Sequence, residues 1–340
     1  MVYRAPSGLT CSDRLRLCAT DSSRRPSLFE NGAPRSNQLR FVSHGHNMSI
    51  PPARGIATVI NYCTNDFRFI GKCIDEARKF SSQIIVPVCD HFFDGSPENR
   101  ALLDHTYAAH PDVLFLEFTY NVKRLYTPYV QRLPEDEDWG ALWHSTARYL
   151  AFLYLEEKIQ YLLFLDADEI IEGEKFAEWL RSEDYQQWDA LWFFAYCYGF
   201  QATRRAPDLQ QTALLARRSA ISPLKIFSAQ ERFGLFAGLS GPKRLQIFGL
   251  DGNPMIHHYS WVRPHAESLK KASTWGKRHH CDWKTWLATT EMKDYQETAP
   301  YFDPLSVAVP TQFPKTQPFL HVVQVNPKIA FRRELDALLY

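Results

Sequence analysis

Nowhere in its 340 residues does the chain carry the unbroken run of roughly 20 apolar residues that crosses a bilayer. Its most apolar stretch, Leu191 to Phe200, is too short for that, and its aromatics suit a buried strand. The amino end holds Arg4, Asp13, Arg14 and Arg16 without a continuous apolar core, so it is not read as a secretory signal. Charge of one sign is also lacking. With 39 Lys and Arg against 38 Asp and Glu, the net charge of +1 gives no general attraction to nucleic acid or anionic lipid, and any anion must be held locally. No C-x-x-C pair occurs. The seven cysteines (Cys11, Cys18, Cys63, Cys73, Cys89, Cys197, Cys281) are scattered and odd in number, which argues against a zinc knuckle or disulfide framework and suits free thiols in a reducing cytoplasm.

What is present is a chain that can build a large core: 45% of its residues are apolar and 14% aromatic. Residues 1–54 stand apart. They are rich in Ser, Arg, Pro, Gly and Asn with no persistent apolar period, and are read as a disordered or weakly attached extension, with translation starting at Met1 or at Met48. From Gly55 the pattern changes. Ile56–Ile60, Ile84–Val88, Val113–Phe118 and Tyr161–Leu165 are short apolar runs of the kind that form buried parallel strands. Between them lie a helix capped by Asn65 or Asp66, with Phe67, Ile70, Ile74, Ala77 and Phe80 at helical spacing, and a long helix over Trp139–Lys158.

This rhythm predicts an α/β fold, a doubly wound and mostly parallel sheet of Rossmann-like type. A mixed, partly antiparallel second half is expected from Trp192–Phe200, Thr212–Ala216 and Leu245–Phe248, followed by a helix over Ala266–His280 and coil over Pro300–Pro318. Ligands of such sheets bind beyond the carboxyl ends of the strands. Tyr62–Asp66, Asp90–Gly95 and Asp166–Asp168 all fall there, so three polar strand ends converge on one edge.

The strongest feature is Leu162-Leu-Phe-Leu-Asp166-Ala-Asp168-Glu-Ile-Ile. A buried strand ending in two carboxylates one residue apart presents hard oxygen ligands suited to Mg²⁺ or Mn²⁺, which would share substrate phosphates. A diphosphate leaving group needs that charge. An acidic turn capping a helix is the plainer alternative. Gly55 to about Gly173 resembles the nucleotide-binding half of family 2-type GT-A glycosyltransferases. The resemblance rests on Ser145-Thr-Ala-Arg148-Tyr-Leu before the D-x-D strand, and on Cys89-Asp90-His-Phe-Phe-Asp94-Gly95-Ser96 after the second strand. Departures are Asn61-Tyr62 where the family has a Pro-x-Tyr-Asn turn, and Tyr149 in place of Asn after the arginine.

The resemblance implies a nucleotide-sugar-binding half over 55–173 and an acceptor-binding half over 174–340 of the same domain. It implies that Asp90 reads the nucleotide base, that Asp166 meets the ribose or a metal-bound water, that Asp168 ligates Mn²⁺ or Mg²⁺ and that Arg148 approaches the phosphates, with Asn61 and Tyr62 beside the donor. In the second half, Met255-Ile-His257-His258-Tyr-Ser-Trp261-Val-Arg263-Pro resembles a string of bacterial enzymes of this type. Such enzymes recruit a late histidine to the metal, here His258, while Arg263 with Lys270 and Lys271 would hold diphosphate. A catalytic base stays open between Glu231 and Asp251.

The expected activity is transfer of a hexose from a nucleotide-diphosphate sugar, a UDP-sugar above all, to a glycan or lipid-linked hydroxyl. The protein would be cytoplasmic, with peripheral contact at the inner face of a membrane through Arg204, Arg205, Arg217, Arg218, Lys243 and Arg244 left open. Rivals are a haloacid dehalogenase-type phosphatase, which also begins from a strand ending D-x-D, and a non-catalytic carbohydrate binder with Trp188, Trp192, Trp275, Trp283 and Trp286 as sugar platforms. A sugar-nucleotide pyrophosphorylase would need a Gly-rich loop with Arg and Lys after the first strand, and none is there.

Overall fold

Every residue of β1 (Ile56–Asn61) is buried, as a continuous apolar run flanked by helices on both faces requires. In the computed structural model, residues 55–119, 139–222, 225–226, 231–275, 282–289, 296–313 and 322–325 are described. The chain separates into Met1–Pro51 and Pro52–Tyr340. The expected extension over 1–54 lies outside the described residues, and the architecture below belongs to the second unit.

After β1, a 3-10 turn (Thr64–Asp66) leads into α1 (Phe67–Ala77). Then come β2 (Gln83–Cys89), α2 (Arg100–Ala109), β3 (Leu114–Phe118), α3 (Trp139–Leu153), β4 (Tyr161–Asp166), the short β5 (Glu169–Ile171) and α4 (Gly173–Ser182). The second half contributes β6 (Ala190–Cys197), β7 (Arg204–Arg205), β8 (Gln210–Arg217), α5 (Arg232–Gly238), β9 (Lys243–Ile247) and β10 (Ile256–His258). It closes with α6 (His265–Thr274), α7 (Trp283–Thr289), β11 (Gln296–Glu297) and β12 (Val322–Val325).

One sheet runs through both halves, in the order β12-β3-β2-β1-β4-β8-β6-β10-β5 with β9 beside β6. The run from β12 to β4 is parallel. β8 is antiparallel to both β4 and β6, and β5 is antiparallel to β10, so the mixed second half is observed as expected. β7 and β11 pair separately. Alternation along the strands divides the core in two. Ile56, Ile60, Val86, Leu163 and Leu165 pack with α1 and α4, whereas Ala57, Val59, Ile85, Leu162 and Phe164 pack with α3 and α5. Helices therefore cover both faces, which is the doubly wound α/β class.

Two boundaries differ from expectation. The long helix ends at Leu153 instead of Lys158, because Gln83 accepts from the Glu156 amide and donates to the Tyr154 carbonyl, at 3.0 Å each, drawing the chain off the helical path. α6 ends at Thr274, where Trp275 turns extended, and His279 and His280 lie outside the described residues. Asp66 does occupy the N-cap position of α1, but its side chain makes no cap bond there.

Candidate functional site

Residue parity on two neighbouring strands sets up the first part of the site. Asn61 pairs in register with Asp166 at the carboxyl ends of β1 and β4. Asn61 follows Ala57 and Val59 on the α3 side, and Asp166 follows Leu162 and Phe164 there. Asn61 Nδ2 is 3.4 Å from Asp166 Oδ1 and 3.3 Å from His144 Nδ1 on α3. One helical turn further along, Arg148 Nη2 lies 3.8 Å from Asp166 Oδ1 and 3.9 Å from Glu231 Oε2. Arg148 is 2% exposed, and its terminal nitrogens have no hydrogen-bond partner among the described residues; the same holds for Asn61 Oδ1. Burial pulls the Arg148 pKa down, with Asp166 and Glu231 opposing that pull.

Arg232, at the start of α5, closes this side. It donates to Asp166 Oδ2 at 3.0 Å and takes both carboxylate oxygens of Glu169, whose side chain is 1% exposed. Glu169 in turn accepts from the Asp166 amide at 3.0 Å, fixing the bend of the D-x-D turn. Burial works against the charge of Asp166, yet Arg232, His144 and Arg148 hold its carboxyl below the ordinary range.

Asp168 turns to a different set of partners. Its Oδ2 accepts from Lys271 Nζ at 2.6 Å and stands 3.7 Å from Arg263 Nη2, while its Oδ1 stands 3.7 Å from His258 Nε2. Asp66 completes the group, accepting from Arg263 at 2.8 Å and Lys271 at 3.1 Å, which is where its carboxylate goes instead of capping α1. Arg263 also bonds the Asn65 and Ser260 carbonyls and lies over the Phe69 ring, so its position is over-determined. Burial opposes the charge of Asp168, but Lys271, His258 and Arg263 hold it well below the carboxylate range. For His258, burial opposes protonation, and Cys197 and Asp168 together lift it to about 9. The Tyr259 amide donates to the Asp168 carbonyl at 2.9 Å, tying β10 to the D-x-D turn.

The expected metal set of Asp166, Asp168 and His258 is thus brought together only in part. Asp166 is taken up by Arg232 and Asn61 toward α3 and α5, whereas Asp168 and His258 face one another. Among the described residues no group of three or more His, Cys, Asp or Glu is placed to hold a metal. The Asp168–His258 pair would suit a divalent ion that displaces the His258 Nε2 proton: a carboxylate and an imidazole whose Nδ1 is 3.2 Å from Gln210 Oε1, a contact that leaves Nε2 toward Asp168. His257, one residue earlier, points elsewhere, between Tyr198 (2.8 Å) and Glu172 (3.0 Å) and stacked on Tyr301.

Other expected residues fall at varying distances from this centre. Asp90 follows β2 half exposed, its Oδ1 2.9 Å from His91 Nδ1, with its backbone bonded to Phe118 and Glu98. Tyr62 is a core residue whose hydroxyl lies 3.1 Å from Thr106 on α2, so its ring is not offered to a ligand. Glu231, preceding α5, belongs to the Arg148 side. Asp251 sits in an exposed turn, bound to Lys175 at 2.8 Å and to Asn253. Trp192 is core, packed on Phe233 and Phe236. Trp261, Trp275, Trp283 and Trp286 form one aromatic cluster, joined by Phe200 at a positive φ of 55°.

The cations weighed for membrane contact have partners inside the chain. Arg217 pairs with Asp189 and Arg204 with Glu297; Arg205 lies over Tyr196, and Arg218 and Lys243 bond carbonyls. Among the described residues no helix is long and apolar enough to cross a membrane, and Cys63, Cys73, Cys89 and Cys197 are free thiols.

Sequence reasoning missed Arg232 and the anchoring role of Asp66. The one available signal for Arg232 was an arginine opening a short apolar segment, Arg232-Phe-Gly-Leu-Phe-Ala-Gly, whose Leu235 and Phe236 enter the core. Asp66 carried no such signal, since its partners lie about 200 residues away, at |i−j| of 197 and 205.

No protein-family model and no curated protein sequence matches the chain. Among solved structures, it is similar to the glycosyltransferase GlyE of Streptococcus pneumoniae at 13% identity and a TM-score of 0.34, over 70% of this chain and 63% of that one. It is also similar to the mannosyltransferase PcManGT of Pyrobaculum calidifontis, solved with GDP-Man and Mn²⁺ (11%, 0.36, 65% and 62%). A 4-diphosphocytidyl-2C-methyl-D-erythritol synthase of Anaerococcus prevotii is a third (8%, 0.32, 57% and 90%).

Proposed function

We propose that the chain is a GT-A-type glycosyltransferase that moves a sugar from a nucleotide-diphosphate sugar to a hydroxyl acceptor. The observation that carries this is the pair Asp166 and Asp168 at the end of β4, with Arg148 and Arg232 around the first and Lys271, Arg263 and His258 around the second. As the glycosidic bond to the donor breaks, negative charge grows on the departing diphosphate. Buried, pre-placed guanidinium and ammonium groups stabilise that charge without having to reorganise. Asp168 and His258 would hold Mn²⁺ or Mg²⁺, which when bound neutralises further charge on the leaving group.

Among the described residues Arg148 has donors, and Asn61 an acceptor, without hydrogen-bond partners beside Asp166, which suits the ribose and phosphates of a donor nucleotide. Asp90 lies at the neighbouring strand end, where a base would be read, and a UDP-sugar is the favoured donor. Glu231 is the favoured base, because it borders Arg148, whereas Asp251 is bound to Lys175. The tryptophan cluster, which begins at Trp261 and is completed after α6, is assigned to the acceptor, a glycan or lipid-linked glycan. Cytoplasmic location goes with free thiols. The phosphatase alternative expects Thr or Val two residues after the second aspartate, where Ile170 stands, and a motif closing the first strand, whereas this one closes β4.

The test is release of nucleoside diphosphate from a panel of UDP- and GDP-sugars, with Mn²⁺ or with EDTA. Release that needs the metal and disappears in Asp168→Asn is the expected result. Hydrolysis of simple phosphomonoesters, with every nucleotide sugar left intact, would replace this reading with the phosphatase.

A further inference from the structure

We propose that Lys271 is a resident counter-ion of Asp168 that makes divalent-cation binding depend on the nucleoside diphosphate. This rests on the reading of the site as a nucleotide-sugar site. Asp168 is 3% exposed, and Lys271 Nζ already sits 2.6 Å from one of its oxygens. The other oxygen is the one that faces His258. A cation seated between Asp168 Oδ1 and His258 Nε2 would therefore lie next to the Lys271 ammonium, with the Arg263 guanidinium 3.7 Å from the same carboxylate.

The carboxylates of Asp66 and Asp168 are balanced by Lys271 and Arg263, all four groups being buried, where charges are poorly screened. A divalent cation arriving alone adds positive charge to a set that is already neutralised. The same cation arriving with a polyanionic diphosphate does not. Lys271 also has a second seat. Its 3.1 Å contact with Asp66 lets the ammonium slide off Asp168 without leaving the cluster, and keeps it at hand for the diphosphate. Cation and nucleotide thus bind as a coupled pair, and by linkage each tightens the other by the same factor.

The test is a Mn²⁺ titration of the full chain, followed by the electron paramagnetic resonance of free Mn²⁺, without nucleotide and with UDP or GDP. In the parent protein, saturating nucleotide should tighten Mn²⁺ binding by roughly 5- to 150-fold, the usual range of coupling between sites. Lys271→Met should tighten Mn²⁺ alone by about tenfold or more and shrink the coupling, whereas Lys271→Arg should behave as the parent. Asp66→Asn, which removes the second seat, should weaken Mn²⁺ alone, and it serves as the deciding variant should Lys271→Met not fold by circular dichroism. Unchanged or weaker Mn²⁺ affinity in folded Lys271→Met overturns the counter-ion role. Failure of every nucleotide to bind the parent protein would instead remove the donor-site reading, and the Mn²⁺-alone arms would still judge Lys271.

Discussion

Arg232 holds Glu169 with both terminal nitrogens and Asp166 with one, so the carboxylate that ends β4 and the one that opens β5 share a counter-ion. Glu169 is sealed in the interior and has no access to water. Its charge is tolerable there only because Arg232 is present.

Removing that partner should be severe. Arg232→Met leaves Glu169 buried and unpaired, and a loss of about 3–5 kcal/mol in unfolding free energy is expected by chemical denaturation. The double variant Arg232→Met, Glu169→Gln should lose clearly less than the sum of the two single changes, because they share one interaction. Additive losses would show that the pair is not coupled.

Much of this arrangement was legible in the chain, and the reasons for the rest are physical. β1 and β4 are continuous apolar runs with sharp polar ends, so their existence, their direction and the placement of Asp166 followed from local pattern alone. Period-2 alternation sets His258 apart from His257, but it does not say which of the two faces Asp168 until β5 is known to pair with β10. Arg232, Lys271 and Asp66 reach Asp166 or Asp168, or one another, across separations of 66 to 205 residues. Nothing in a local window encodes such pairings. Tyr62 is the opposite case: a strand-end aromatic in the local pattern, it is buried with its hydroxyl 3.1 Å from Thr106, a contact 44 residues away that no local window encodes.

The base assignment separates by kinetics. Glu231→Gln is expected to lower kcat by about 10²- to 10⁴-fold, as loss of a proton acceptor does, while the affinity for donor nucleotide stays near that of the parent. Asp251→Asn, at an exposed turn bound to Lys175, should leave kcat within about twofold, since surface changes away from a site act weakly. The reverse pattern would move the base to Asp251.

Glu98 supplies a pH signature of folding. Burial lifts its carboxyl to about 7, against hydrogen bonds from the Thr64 amide and hydroxyl that favour the charged form. Because the folded state keeps the proton longer than the unfolded chain, this group's stabilisation is full below its ordinary value of 4.5 and is lost as pH rises through about 7. Glu98→Gln should flatten the stability profile across that window, a swing of at most about 3 kcal/mol. An unchanged slope in denaturant melts across the window would show that Glu98 ionises normally.

Calorimetric titration of UDP and of GDP into the full chain, with Mn²⁺ and with EDTA, beside Asp168→Asn, bears most directly on the donor site at the end of β4. Binding of one nucleotide that requires the metal and is lost in Asp168→Asn is the expected result. Binding that is indifferent to both metal and Asp168, or no binding of either nucleotide, would contradict a metal-dependent nucleotide-sugar site there.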